Sequence, residues 1–420
     1  MRAKMSWFSG VLSEFKEVFP LMSFPIDALR RAYPALEEQV HGRSLIYLDN
    51  AATAQMPLCV AQAVQALELR RGNVHRGIHA LSEACTQAYE SARATVANFL
   101  QAAPEQIQFT SGTTDAVNRV ADALAATLKP GDRIAVTRME HHSNFVPWQQ
   151  LCQRTGAEFC ILPLTPEGDL DLEQAKALLS PGVTLVAAAH SSNVLGTVND
   201  IPALARLTHA AGGVLLVDGA QGICHEPVDV SALDCDYYAF SGHKLGGPFG
   251  IGALFSRRPL PAVRYGGGMV DQVLDQTTTF GPAPMLWEAG TPNVSGAVGL
   301  ARALQFRQNL PEGWQDWEHS LLERLEQGLA ALDRVRVLDH PRRRSGCLSF
   351  TLEGASPFDV AVLLDQLGIA VRSGHHCAQP LLRWLGVEYT LRVSPACYNT
   401  PEEIDAFLSG LKRIIPLCTG

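Results

Sequence analysis

The sequence predicts an α/β protein built around a mostly parallel sheet, and three observations support that class. Short apolar segments recur through the middle of the 420-residue chain, helix-like segments separate them, and polar residues follow the ends of the apolar segments. This alternation is typical of βα units, which bury their strands between helices. A single core rarely extends beyond about 300 residues, so the length favours two domains.

The elements can be assigned in order along the chain. Strands of the main sheet are predicted at residues 106–110, 133–137, 158–162, 185–189, 214–217, 237–240 and 250–255, the last as a candidate antiparallel edge strand. Helices are predicted between them at residues 115–128, 148–155 and 201–211. Helical periodicity returns at 295–308 and 314–332. Strands at 347–352, 370–373 and 390–393 then alternate with helices at 358–367 and 401–415, which predicts a smaller α+β domain.

These assignments divide the chain into four parts. Residues 1–22 are interpreted as an N-terminal tail or extension, and residues 23–45 as a segment that packs with the small domain. Residues 46–300 form the predicted large domain and residues 301–420 the small one.

Composition excludes several classes of function. The formal net charge of −8 argues against a nucleic-acid-binding surface, and the sequence has no apolar run of membrane-spanning length. The first residues lack the core and cleavage site of a signal peptide, so a cytoplasmic enzyme is expected. The ten cysteines contain no CxxC pair, so no metal site is expected and most should be buried thiols in a reducing compartment.

A lysine and an aspartate follow two of the predicted strands. Lys244 comes after residues 237–240, and Asp218 directly after residues 214–217. The carboxyl ends of strands in open α/β sheets are where ligands bind. A buried lysine there suggests a Schiff base with the aldehyde of pyridoxal 5'-phosphate (PLP), with the aspartate paired to the pyridine nitrogen. A structural ion pair is the alternative for the two charges alone.

A candidate phosphate site precedes them in the chain. Residues 109–115 join a strand to a helix N-terminus, where main-chain N–H groups and the helix dipole favour an anion. The hydroxyls of Thr113 and Thr114 add donors, and Ser241 and His243 lie close enough to Lys244 to contribute. Ordinary helix capping is the alternative for this segment alone.

Further polar residues follow other strands. The pair His141 and His142 follows residues 133–137, and one of the two imidazoles could stack on a pyridine ring and move protons. Asn193 follows residues 185–189 and could bind the cofactor oxygen or a substrate carboxylate. A capping histidine and a turn-forming asparagine are the alternatives.

The small domain supplies arginines and a cysteine. Arg372 and Arg392 each belong to a predicted strand, and guanidinium groups bind carboxylates well, although surface ion pairs are the alternative. Cys377 follows two histidines and Gly374 and precedes Pro380, which indicates a partly exposed loop. A nearby imidazolium would favour the reactive thiolate.

Together these segments resemble the class V aminotransferase family of PLP enzymes, and more narrowly the group II cysteine desulfurases of the SufS/CsdA type. The similarity extends from about residue 26 to residue 417. The motifs that carry it lie at residues 47–53, 73–79, 111–114, 139–142, 218–221, 241–244, 288–293 and 372–380. The resemblance implies the PLP-dependent transferase fold of type I, with a mostly parallel seven-stranded sheet in the large domain.

It also implies roles for individual residues. Lys244 would carry PLP, Asp218 would pair with its ring nitrogen, Gln221 would bond its phenolic oxygen and His141 would stack on its ring. Thr113, Thr114, Ser241 and His243 would bind the phosphate, and Thr291 would reach the phosphate in the neighbouring subunit of a homodimer. Asn193 and Arg392 would hold the substrate carboxylate, with Arg372 nearby. Cys377 would accept the sulfur of L-cysteine as a persulfide.

The resemblance further implies a SufE/CsdE-like acceptor protein, and selenocysteine and cysteine sulfinate remain further candidate substrates. Other class V activities (aminotransferase, kynureninase-like hydrolase, epimerase) remain alternatives, as does a non-catalytic scaffold. One departure concerns Gly246, where the family often has tyrosine. Loss of that ring is expected to alter packing under the cofactor.

Overall fold

A computed structural model describes residues 24–180 and 182–418. The predicted tail at residues 1–22 lies outside the described residues.

Strands occur throughout the described chain. They are β1 (Gln39–Val40), β2 (Arg43–Ser44), β3 (Ile46–Tyr47), β4 (Ile107–Thr110), β5 (Arg133–Thr137), β6 (Glu158–Leu162), β7 (Leu185–Ala189), β8 (Val214–Asp218), β9 (Tyr237–Ser241), β10 (Gly252–Ser256), β11 (Val270–Val273), β12 (Thr278–Phe280), β13 (Val335–Val337), β14 (Leu348–Leu352), β15 (Ile369–Ala370), β16 (Arg372–Gly374) and β17 (Thr390–Val393).

Helices alternate with these strands. They are α1 (Ile26–Arg30), α2 (Leu58–Glu68), α3 (Ala80–Leu100), α4 (Thr113–Ala125), α5 (Val146–Thr155), α6 (Leu172–Leu179), α7 (Ile201–Ala210), α8 (Gly222–His225), α9 (Val230–Leu233), α10 (Val294–Gln308), α11 (Trp314–Ala330), α12 (Pro357–Asp365), α13 (Gln379–Trp384) and α14 (Pro401–Cys418).

The main sheet has seven strands in the order β4-β10-β9-β8-β7-β5-β6. Strands β5 to β9 pair in parallel, whereas β10 is antiparallel to both of its neighbours, β9 and β4. The predicted mostly parallel seven-stranded sheet is therefore confirmed, and so is the direction of β10. Its predicted edge position is wrong: β4, from much earlier in the chain, pairs with its outer side.

Helices cover both faces of this sheet, which is why most residues of its strands are apolar. On one face, Tyr89 and Val96 of α3 pack in the same apolar cluster as Leu300 of α10. On the other face, Val120 of α4 and Trp148 of α5 belong to a second cluster. With both faces buried, ligands can reach the sheet only at its ends.

The C-terminal part forms a four-stranded sheet in the order β13-β14-β17-β16, with an apolar core that includes Leu325, Phe350 and Phe407. The N-terminal segment lies against this part. Strand β3 pairs in parallel with β15, and the rings of Tyr33 and Tyr398 lie 4.4 Å apart. The predicted strand at 370–373 is divided into β15 and β16, which belong to different sheets. The four domain boundaries themselves stay a prediction.

Seven of the described helices were not predicted: α1, α2, α3, α6, α8, α9 and α13, of which α3 is the longest. The buried side of α3 is made largely of small or polar residues, including Ser82, Cys85, Ala92 and Arg93, so its periodicity in the sequence is weak. Within the described residues, no helix is both long enough and apolar enough to cross a membrane.

Candidate active site

The carboxyl ends of the parallel strands meet at one cavity of about 300 Å³. Its walls come from the loops after β5, β7, β8 and β9, from the start of α4, and from the small domain around β16 and β17. All of the predicted site residues except Thr291 line it: Thr113, Thr114, His141, Asn193, Asp218, Gln221, Ser241, His243, Lys244, Arg372, Cys377 and Arg392. The cavity therefore combines groups from both parts of the chain.

Lys244 lies in a short 3-10 helix, Gly242–Leu245, directly after β9. Enclosure by protein lowers the pKa of its amine, Asp218 opposes this shift, and Arg392 adds to it. Asp218 is buried and accepts a hydrogen bond from the Ala220 N–H at 2.9 Å. Burial raises the pKa of its carboxyl, while the Ala220 N–H and Lys244 lower it. A lysine with a lowered pKa has more of the neutral amine that attacks carbonyl groups.

The N-terminus of α4 is held close to β9. Gly112, which has a φ of 147°, precedes the helix, and a Cβ there would come within 3.0 Å of the Ser241 Oγ. The same Oγ accepts a hydrogen bond from the Thr113 N–H at 2.9 Å and lies 2.9 Å from the Thr113 Oγ1. The hydroxyls of Thr114 and Ser143 are 2.6 Å apart. Hydroxyls and a helix N-terminus thus converge, as an anion site requires.

His243 and His141 are both neutral imidazoles at this site. Burial and then Lys244 lower the pKa of His243 to about 4, and its Nδ1 lies 3.2 Å from the Thr53 Oγ1. Burial, Lys244 and His142 lower the pKa of His141 to about 3. The Ser143 N–H donates to Nδ1 of His141 at 3.1 Å, so Nε2 carries the ring proton.

His142, the second histidine of the pair, does not line the cavity. Its main-chain N–H donates to the Cys377 carbonyl at 2.7 Å, and its Nε2 accepts from the Gln379 N–H at 3.2 Å. The two histidines therefore serve different surfaces, a distinction that their adjacency in the sequence could not reveal.

The two predicted amide residues already have partners in the chain. The Gln221 Nε2 donates to the Ala51 carbonyl at 2.7 Å. The Asn193 Nδ2 donates to the His376 carbonyl at 2.8 Å, and the Asn193 carbonyl accepts from Arg392 at 2.8 Å. Asn193 thus connects the large domain to the loop of Cys377.

Asp49, which the sequence analysis missed, holds both predicted substrate arginines. Arg372 donates to its carboxylate through Nε, at 2.9 and 3.1 Å, and lies 2.8 Å away through Nη2. Arg392 donates to it through Nη2 at 3.1 Å. The Nε of Arg392 is buried and has no hydrogen-bond partner in the described chain. An unpartnered donor beside the cavity is suited to an anionic ligand.

Cys377 is half-buried in the loop between β16 and α13. Burial lowers the pKa of His142 and lowers that of His376 to about 2, so burial disfavours the imidazolium form of both. The guanidinium of Arg372 also interacts electrostatically with the thiol. The imidazolium expected beside Cys377 stays a prediction.

Two predicted features lie elsewhere. Thr291 borders a separate cavity of about 430 Å³, together with His75, Arg76 and Arg93. Gly246 has a φ of 76°, and a Cβ there would lie 2.7 Å from the Gln55 carbonyl oxygen and 2.9 Å from Pro57. This position therefore faces the segment that precedes α2, and the expected effect of Gly246 on packing under the cofactor stays a prediction.

Comparison with known proteins agrees with this geometry. Residues 46–407 match the model of the family "Aminotransferase class-V". The fold and site therefore define a class V aminotransferase, a family of PLP-dependent enzymes, and the chain belongs to it.

Within that family, the chain belongs with the cysteine desulfurases. It is 45% identical to the cysteine desulfurase of Dickeya dadantii (strain 3937), over 94% of this chain and 98% of that protein. It is 42% identical to a probable cysteine desulfurase of Halalkalibacterium halodurans, over 92% and 97% of the two chains. The structure of the apo cysteine desulfurase from Thermococcus onnurineus NA1 matches with a TM-score of 0.89 at 37% identity, over 95% of this chain and 100% of that one. The cysteine desulfurase CsdA from Escherichia coli matches with a TM-score of 0.87 at 39% identity, over 94% and 100%.

Proposed function

We propose that this protein is a PLP-dependent cysteine desulfurase that converts L-cysteine to L-alanine and takes up the sulfur on Cys377. The observation that carries the proposal is the shared cavity. It places Lys244 and Asp218 of the large domain together with Cys377 and Arg392 of the small domain. The names and high identity of the relatives support the same activity.

The donor set of the cavity fits PLP. Lys244 would hold the aldehyde, Asp218 the ring nitrogen, Gln221 the phenolic oxygen, and His141 would stack on the ring. Hydroxyls of Thr113, Thr114 and Ser241 at the start of α4, with His243, match a phosphate. Bound there, PLP supplies an electron sink that makes the substrate Cα–H acidic.

The substrate carboxylate would bind Arg392, whose buried Nε has no partner in the described chain. Asn193 would orient this arginine through its main-chain carbonyl. Arg372 is a weaker candidate for the same task, because its Nε and Nη2 already contact Asp49. The neutral Lys244 amine would remove the proton from the substrate Cα.

Sulfur transfer would then depend on Cys377. Its thiolate attacks the Sγ of the substrate cysteine, so that an S–S bond forms as the substrate Cβ–Sγ bond breaks. The electron pair of the broken bond stays on the substrate Cβ, which takes up a proton, and the product is released as alanine. The substrate sulfur atom stays bonded to Cys377 as a persulfide.

Other parts of the proposal concern the assembly. We expect a homodimer in which Thr291 contacts the phosphate in the neighbouring subunit, which fits its place outside the Lys244 cavity. We also expect a SufE/CsdE-like protein to accept the persulfide sulfur. Activity on selenocysteine or cysteine sulfinate, and a cytoplasmic location, stay predictions.

The test is to supply the purified protein with PLP and L-cysteine and to measure alanine and sulfide. Alanine formation is expected together with visible absorbance of the bound cofactor, and alanine formation should be lost in Lys244→Ala. Bound cofactor without alanine from cysteine would contradict the desulfurase and favour another class V activity. The absence of any bound cofactor would contradict PLP chemistry altogether.

A further inference from the structure

The loop that carries Cys377 is fixed to the large domain at three residues, His376, Cys377 and Gln379. We call residues 375–379 the nucleophile loop. The Asn193 amide donates to the His376 carbonyl at 2.8 Å, and the His142 N–H donates to the Cys377 carbonyl at 2.7 Å. The Gln379 N–H donates to the His142 imidazole at 3.2 Å. His142 thus binds the loop through both its main chain and its side chain.

The loop backbone needs such support. His376 and Cys377 have φ angles of 50° and 53°, and neither is a glycine. Consecutive left-handed residues that carry a side chain are uncommon, and they persist when surrounding contacts hold them in place. Within the loop, the Cys377 N–H donates to the His375 Nδ1 at 3.2 Å. The two bonds from His142 hold the Cys377 carbonyl and the Gln379 N–H, directly after these two left-handed residues.

We propose that His142 is a positioning residue for sulfur transfer: its imidazole, as a hydrogen-bond acceptor from the Gln379 N–H, keeps the nucleophile loop docked with Cys377 at the cavity. His142 touches neither the cavity nor the reacting atoms, and so it acts through the loop. The inference rests on the proposed function, because it concerns the persulfide-forming step.

This role requires the neutral imidazole, since a protonated Nε2 has no lone pair to accept the Gln379 N–H. The groups that face His142 are His375 of the loop, Arg383 of α13 and His141 of its own segment. Burial, followed by His375 and Arg383, lowers its pKa below the ordinary value of 6.5. A group with a lowered pKa in the docked state stabilises docking above its undocked pKa and loses that contribution as the pH falls. Docking should therefore weaken below about pH 6.5.

The experiment compares His142→Ala, His142→Gln and Gln379→Ala as PLP-loaded enzymes. Glutamine offers an amide oxygen as acceptor but does not titrate, and Gln379→Ala keeps the main-chain N–H that His142 uses. The readout is the rate of persulfide formation on Cys377 after mixing with L-cysteine, measured by rapid quench and mass spectrometry from pH 5.5 to 8.5. Cofactor absorbance reports whether each variant retains its site.

At pH 8 we expect His142→Ala to be slower by about 5-fold, the effect of one hydrogen bond. His142→Gln and Gln379→Ala should stay within about 2-fold of the wild type, less than one such bond. The ratio of the wild-type rate to the His142→Gln rate should fall below pH 6.5, because only the wild type loses its hydrogen-bond acceptor there. Titration of the thiol and of the substrate affects both enzymes equally and cancels in this ratio.

Wild-type rates in His142→Ala would overturn the proposal, and so would a wild-type to His142→Gln ratio that does not change with pH. The pH ratio provides the test by itself if His142→Ala does not fold. Failure of the wild type to form any persulfide would instead overturn the proposed function.

Discussion

Arg392 and Arg372 were both predicted to bind the substrate carboxylate, and the structure separates them. The Arg392 side chain is 3% exposed, and its Nε has no partner in the described chain, whereas the Arg372 side chain is 49% exposed and contacts Asp49 through Nε and Nη2. Replacing each by lysine keeps the charge but removes the planar fork of donors. The same chemical change at two positions thus compares a buried arginine with a half-exposed one.

For Arg392→Lys, the lost interaction is a hydrogen bond between buried charged groups, of about 1.5–3 kcal/mol, which lowers kcat/KM for L-cysteine by about 10- to 150-fold. For Arg372→Lys, the arginine side chain is half-exposed, so its pair with Asp49 should contribute about 0–1 kcal/mol and the loss should be less than about 5-fold. The assay is alanine release over a range of L-cysteine concentrations, with cofactor absorbance as the control. An equal or larger loss in Arg372→Lys would refute the assignment of Arg392.

Three further changes test other parts of the structure. Gly246→Ala should lower the melting temperature by about 2–4 °C, because the new Cβ would clash with the Gln55 carbonyl oxygen. The control is Gly42→Ala, which has a similar φ of 72° but no atom within 4 Å of the new Cβ, and which should lower the melting temperature less. Equal shifts in the two variants would contradict the clash at Gly246. Ser143→Ala should weaken PLP retention by about 2- to 10-fold in equilibrium dialysis, since one hydroxyl near Thr114 is lost, and unchanged retention would exclude that contact. Cys377→Ala should abolish alanine formation from cysteine while largely sparing selenocysteine, and full cysteine turnover would exclude Cys377 as the nucleophile.

Much of the site could be predicted because its main groups lie at or shortly after the ends of buried strands. Asp218 ends β8, and Lys244 follows β9 by three residues. Apolar strands of this length are visible in the sequence, and parallel strands bring their carboxyl ends together. The common cavity follows from these two facts.

The remaining groups depend on contacts between distant segments. Asp49 follows β3, a strand of two residues that is too short to give a pattern, and its arginine partners lie more than 300 residues away. The contact of His142 with the nucleophile loop joins segments 237 residues apart. The position of β10 inside the sheet likewise depends on its pairing with β4. Local propensity carries no information about such pairings.

The most direct test of the account is mass spectrometry of Cys377 after the PLP-loaded protein has reacted with L-cysteine in the absence of an acceptor. The account predicts one additional sulfur atom on Cys377 and an equal amount of alanine, with neither product in Lys244→Ala. Alanine formation with an unmodified Cys377, or with the sulfur on another of the ten cysteines, would contradict it.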